Sequence, residues 1–214
     1  LFTYLFLAAT YFVAVLIHEL GHAVACRIVD FRVEEFVVWP FGVRRSGGGW
    51  KWFRPFATWG RALGWVRYHP LSGGHLRARS LLPVASGPLA SFILCVFAVR
   101  SGGWIERLSA GAAGFVSAIA VWSLLLGMIS LIPSSSRDGI STDGKLLLDL
   151  ARGKADIYRI DAINSLISSC EWLRPRDWDR NFVQIALDET YLQIAGCNGL
   201  GKLFGSTPSH SGMS

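Results

Sequence analysis

Apolar residues run almost unbroken from Leu1 to about Val29, and the stretch from Leu1 to Ile17 carries no charged side chain. About 20 such residues make a helix that crosses the hydrocarbon core of a bilayer. Two further runs of this kind lie at about 81–99 and 110–132, the last closed by Pro133. The pattern between the first two runs is different. Val33 to Trp39 and Trp50 to Phe53 have strand character, and Arg44-Arg45-Ser46-Gly47-Gly48-Gly49 between them reads as a loop. Trp39, Trp50, Trp52, Trp59, Trp65 and Tyr68 are interleaved there with arginines. Such a mixture suits the head-group region, where rings sit at the interface and guanidinium groups reach water. Residues 30–80 are therefore expected as β-hairpins and loops lying on, or partly in, the cytoplasmic leaflet.

Beyond residue 150 the character becomes soluble. Ile157, Ile160, Ile163, Ile167 and Cys170 recur near a helical period, as do Phe182, Ile185, Ala186 and Leu192, with Asp177 or Asp179 as a cap between them. The expected architecture is an α-helical polytopic membrane protein. Its core, residues 1–150, has spans at about 1–29, 81–99 and 110–132 and an interfacial segment at 30–80. A cytoplasmic helical extension follows at 151–204, then a disordered tail at 205–214. Arg100 to Ser109 reads as a short external turn.

Composition agrees with this picture. Of 214 residues 51% are hydrophobic, nine are tryptophan and the mean hydropathy is +0.38, too apolar for an ordinary soluble domain. The opening run lacks the basic segment and small-residue cleavage site of a signal peptide, so it reads as a span. The net charge of +6 does not point to nucleic acid. Ten of the 21 basic residues fall between Arg27 and Arg79, against Asp30, Glu34 and Glu35. A basic loop joining two spans is what cytoplasmic orientation produces, and it also suits anionic lipid head groups. Three spans then put the C-terminus in the cytoplasm and run the first and third spans in the same direction. Cys26, Cys95, Cys170 and Cys197 are widely spaced, neither a disulfide frame nor a zinc knuckle.

Chemistry concentrates in the first span, at His18-Glu19-Leu20-Gly21-His22. Residues four apart share a helix face, so His18 and His22 can offer nitrogens to one ion, with Glu19 beside them as a general base. Ionisable groups within a span are costly, about 2.5–3.5 kcal/mol each for an acid on insertion scales, and are retained for function. Gly21 and Ala23 leave a small face for close approach. In the second span Gly87-Pro88, with Pro83 before it, breaks the hydrogen-bond ladder and predicts a helix opened near a watery site. After the third span come Asp138-Gly139 and Asp143-Gly144, and either carboxylate can complete the metal set. Asp143 is favoured because Thr142-Asp143-Gly144 leads directly into the helix start Lys145-Leu146-Leu147-Leu148, whereas Asp138 lies in a Ser- and Gly-rich loop. His69 and His75 have no spacing that ties them to the motif, and His210 lies in the tail.

These segments together resemble the site-2 protease family of intramembrane zinc metalloproteases. His18-Glu19-Leu20-Gly21-His22 is similar to the family's first metal motif, and Ser86-Gly87-Pro88-Leu89-Ala90-Ser91 to the Gly-Pro segment of its second core helix. Ser130-Leu131-Ile132-Pro133 followed by Asp-Gly is similar to the Asn-x-x-Pro…Asp-Gly motif of the third. Ser130 and Ser91 stand where the family commonly has Asn, a residue implied there in binding substrate backbone or the oxyanion. Asp138 has the commoner spacing from Pro133, and Asp143 resembles a longer-loop variant. The resemblance implies Zn2+ on His18, His22 and Asp143 (or Asp138), Glu19 as the catalytic base, and Gly87, Pro88 and Ser130 near substrate. It implies hydrolysis of a peptide bond in or near a transmembrane segment of another protein, in a bacterial inner membrane, with lipids but no nucleic acid as further partners. The competing reading is a metal-binding membrane protein without proteolysis, such as a transporter, sensor or scaffold.

Overall fold

The structure, a computed structural model, describes residues 2–46, 49–55, 63–72, 75–107, 109–135 and 141–154, together with Arg180 and Val183. The expected extension at 151–204 and the tail at 205–214 lie almost wholly outside these residues, as does Asp138. In chain order the elements are α1 (Phe2–Ile28), β1 (Phe31–Val38), β2 (Phe41–Ser46), β3 (Gly49–Phe53), β4 (Gly64–Pro70), α2 (Leu76–Glu106), α3 (Ala110–Leu131) and α4 (Asp143–Ala151).

The three long helices are each long and apolar enough to cross a membrane. They pack against one another with fixed directions. Phe6 meets Phe115 edge-on at 5.7 Å and Tyr11 meets Trp122 at 5.1 Å, so α1 and α3 run parallel. His22 bonds the Pro83 carbonyl while His18 bonds Ser91, so α2 runs antiparallel to α1. Gly21 lies against the Ser86 backbone, which brings these two helices close together.

Two expectations about α2 are corrected. It extends well past 81–99 at both ends, so most of Arg100 to Ser109 is helix and the break before α3 is confined to 107–109. It also stays helical through Pro83 and Pro88. A proline deprives its helix of one N–H, yet the helix continues across both positions while packed against α1 and α3. At the other end, α3 starts at an N-cap, Ser109, whose Oγ accepts from the Ala112 N–H at 3.4 Å, and it stops just before Pro133.

The segment between α1 and α2 is more regular than its sequence suggests. It forms one antiparallel sheet in the order β3-β2-β1-β4. Arg44 and Arg45, expected in a loop, belong to β2, and Trp65 to Tyr68 belong to a fourth strand. The reason is a buried carboxylate. Glu35, 2% exposed, receives Arg44 Nε at 3.2 Å, Arg67 at 3.3 Å and the Trp65 indole N–H at 3.2 Å. A buried carboxylate is costly unless it is paired and hydrogen-bonded, so the three side chains fix the register of β2 and β4 on β1. The sheet lies alongside α1 and not beyond its end. Phe41 packs edge-on against Phe12 at 6.2 Å, and Gly64 abuts Val15 and Glu19. Arg32, Arg44, Arg45, Lys51 and Arg67 gather toward one end of the sheet, and Val37, Val38, Phe41, Phe53 and Trp65 toward the other.

Candidate metal centre

The centre is built from two helices and oriented by a third. His18 and His22 sit on one face of α1, 3.3 Å apart at Nε2. Asp143 Oδ2 lies 3.2 Å from His18 Nε2, and Oδ1 lies 3.6 Å from His22 Nε2. For bonds of about 2.0–2.1 Å the edge of a ligand tetrahedron is about 3.3 Å. The separation of the two imidazole nitrogens equals such an edge, and with one carboxylate oxygen from Asp143 all three ligand atoms lie within 4.8 Å of one another, so this group could hold a metal ion. Two imidazoles and one carboxylate among the described residues are three donors, one fewer than a closed tetrahedral site uses.

Acceptors on α2 set the imidazole orientation. His22 Nδ1 is 2.7 Å from the Pro83 carbonyl, which can only accept, so Nδ1 carries the proton and Nε2 keeps its lone pair for an ion. His18 Nδ1 is 2.9 Å from Ser91 Oγ, itself fully buried. Such bonds to the second nitrogen fix ring and tautomer in metal-binding histidines. Ser91 thus orients a candidate ligand. The prolines of α2 contribute in a way the sequence hides, since Pro83 offers its carbonyl sideways to α1 without opening the helix. Gly87 faces both imidazoles; a Cβ there would lie 2.8 Å from His18 Nε2 and nearer still to that of His22. Pro88 follows it on the same turn.

Asp143 arrives by a different route. Pro133 ends the α3 direction, and Ser135 and Ser141 pair across the loop, their hydroxyls 3.0 Å apart. Thr142 then ties the returning chain down. Its Oγ1 donates to the Ile132 carbonyl at 2.7 Å and accepts from the Ser134 N–H at 3.1 Å and the Lys145 N–H at 3.4 Å. Such an N-cap is worth about 1 kcal/mol. Asp143 is the first residue of α4, and Gly144 fits against the Leu131 backbone with no room for a Cβ. Burial pushes the Asp143 carboxyl up, but hydrogen bonds from His18 and His22 outweigh it and hold its pKa below the usual value. It is ionised at neutral pH, as a ligand must be.

Glu19 is buried beside His18, with its carboxylate against Gly64 of β4. The structure thus brings together His18, Glu19, His22, Gly87 and Asp143. Ser130 sits apart in its bonding, since its hydroxyl donates to the Gly127 carbonyl of its own helix at 3.1 Å. His69 is buried in the sheet, 3.8 Å from Glu34, and His75 is exposed at the start of α2. Pro83, Thr142 and Gly144 support the site through contacts that the sequence does not show. Thr142 alone left a signal, as an N-cap letter before a helix. No family model, curated protein or solved structure matches the chain.

Proposed function

We propose that the chain is an intramembrane zinc endopeptidase of the site-2 protease kind, acting on a transmembrane segment of another protein. The observation that carries this reading is the three-ligand face of His18, His22 and Asp143 with a buried glutamate next to it. Two imidazoles and a carboxylate are donors that suit zinc, and an open fourth position suits catalysis. When bound, such an ion supplies Lewis acidity to a water and to the substrate carbonyl.

The chain's own groups supply the rest. His18 and His22 hold the ion through Nε2 because Ser91 and the Pro83 carbonyl occupy their Nδ1 positions. Glu19 accepts the proton of the attacking water and returns it to the leaving amine nitrogen, a role worth about 10²–10⁴-fold in rate. With α1 spanning the bilayer, His22 and His18 lie roughly 9–15 Å from its inner end at 1.5 Å per residue. The sheet reaches still farther along α1, to Phe12, so its apolar end enters the leaflet while its arginines stay at head-group depth. Irregular backbone at such depth is tolerated where protein or water surrounds it, and this gives an extended substrate segment an environment in which to reach the site. The proposed setting is a bacterial inner membrane with the site toward the cytoplasmic side.

The test is Glu19→Gln. Membrane fractions from cells making the parent or this variant would be compared for protein fragments, with bound zinc measured on both purified chains. Fragments that require Glu19, with zinc retained by the variant, are expected. Equal fragment patterns at equal zinc content would defeat the protease reading and favour a metal-binding protein without hydrolysis.

A further inference from the structure

We propose that Arg77 is a positioning residue that sets the place of Asp143 from the far end of α4. This inference rests on the metal reading above. Arg77 belongs to the first turn of α2, whose N-terminal end repels a cation, and α2 has no side-chain cap there. Within its own helix the residue is misplaced. Across the structure it is well placed, because Nε donates to the Leu150 carbonyl at 3.0 Å and Nη2 to the Ala151 carbonyl at 2.8 Å. These are last-turn carbonyls of α4, where a helix is short of donors and favours positive charge.

The rest of that end is tied as well. Gly153, with φ of +68°, closes α4 through its N–H to Leu150 O at 3.1 Å, and the Lys154 N–H reaches Asp149 O at 3.1 Å. Lys145 and Lys154 both pair with the Asp149 carboxylate. The geometry makes this matter for the metal. At nine residues α4 is too short to be stable alone, and it takes its position from α2 and α3. Its N-terminal end presents Asp143 to ligands on α1, so any tilt about the Leu131 contact moves the carboxylate. The same helix α2 orients both imidazoles, so Arg77 holds the third ligand in the frame that fixes the other two.

Arg79 provides the comparison. Two residues along α2, it donates to the Val29 carbonyl at 2.6 and 3.1 Å and to the Asp30 carbonyl at 3.2 Å, at the exit of α1. It clamps a helix that is already packed along much of its length.

Purified full-length protein in detergent would be titrated with Co2+, read by visible absorption, and with Zn2+ against a chromophoric chelator. Melting temperature would be recorded for each sample. Arg77→Ala is expected to weaken zinc up to about tenfold and to alter the cobalt bands, at or below the low end of the range for groups bonded directly to a ligand. Arg77→Lys should recover part of the affinity, because its ammonium can still reach a carbonyl. Arg79→Ala should lower the melting temperature with the parent's affinity and spectrum. Parent-like affinity and cobalt bands in Arg77→Ala would overturn the assignment, and so would equal loss in Arg79→Ala. Should Arg77→Ala not fold, Arg77→Met, which keeps the stem and loses the donors, carries the same two outcomes. A parent that binds neither ion would instead defeat the metal reading itself.

Discussion

Three histidines are buried to almost the same degree: His18 at 5%, His22 at 7% and His69 at 6% exposure. Their surroundings are opposite. His18 and His22 each have Nδ1 bound to a group on α2 and Nε2 turned to the Asp143 carboxylate. His69 has Glu34 at 3.8 Å, but that carboxylate is already held by Arg32 at 2.9 Å. Burial, with Arg32 and Arg45 adding to it, pushes the His69 pKa down to about 4. Burial alone therefore does not mark a ligand histidine. What sets the two candidate ligands apart is a polar partner behind the ring and a carboxylate in front.

The sharpest way to break this contrast is to remove the anion. Asp143→Ala is expected to reduce zinc in the purified protein from about one per chain to under a tenth, since a two-histidine site loses a charged ligand. Asp138→Ala should leave it intact, and metal analysis showing the reverse order would reassign the third ligand. Next in size is Gly144→Ala. A methyl group has no space beside the Leu131 backbone, so Asp143 must shift, and zinc should weaken by about 10–100-fold while α4 remains helical. Taking away an acceptor from behind a ring is milder. Ser91→Ala should weaken zinc by about tenfold, at the low end for such supports, and chelator competition would measure it. Unchanged affinity there would mean that packing alone orients His18.

The smallest effect on metal belongs to His69→Gln, which should bind zinc as the parent does. Its signature is pH dependence. The unfolded chain takes up a proton on this residue below about 6.5, whereas the folded chain resists until about 4. The contribution of His69 is thus present above pH 6.5 and is lost as pH falls toward 4. Denaturation midpoints between pH 7 and 4 should fall less in His69→Gln than in the parent. Equal slopes would place the sensitivity elsewhere.

The helical core was legible because its signals are local. The charge-free run before His18, the four-residue spacing to His22 and Pro133 after α3 each report on their own segment, and Thr142-Asp143-Gly144 announced a helix start. The sheet was half legible. The strand character of β1 and β3 was visible, but β2 was hidden by Arg44 and Arg45, and Glu35, the partner of Arg44, is nine residues away in sequence and adjacent only after pairing. The supports of the site were not legible. Neither the sideways use of the Pro83 carbonyl nor the contact of Gly144 with Leu131 leaves a trace in residue order, because both depend on how helices meet.

The Ser135–Ser141 pairing separates length from position. Its two ends are joined at the base of the loop, with Ile132 and Ser134 bound to Thr142 just below it. These contacts, not the residues between the serines, hold the distance between Leu131 and Asp143. The place of the Asp143 carboxylate is thus set by what Thr142 and Gly144 touch, and not by a count of residues from Pro133.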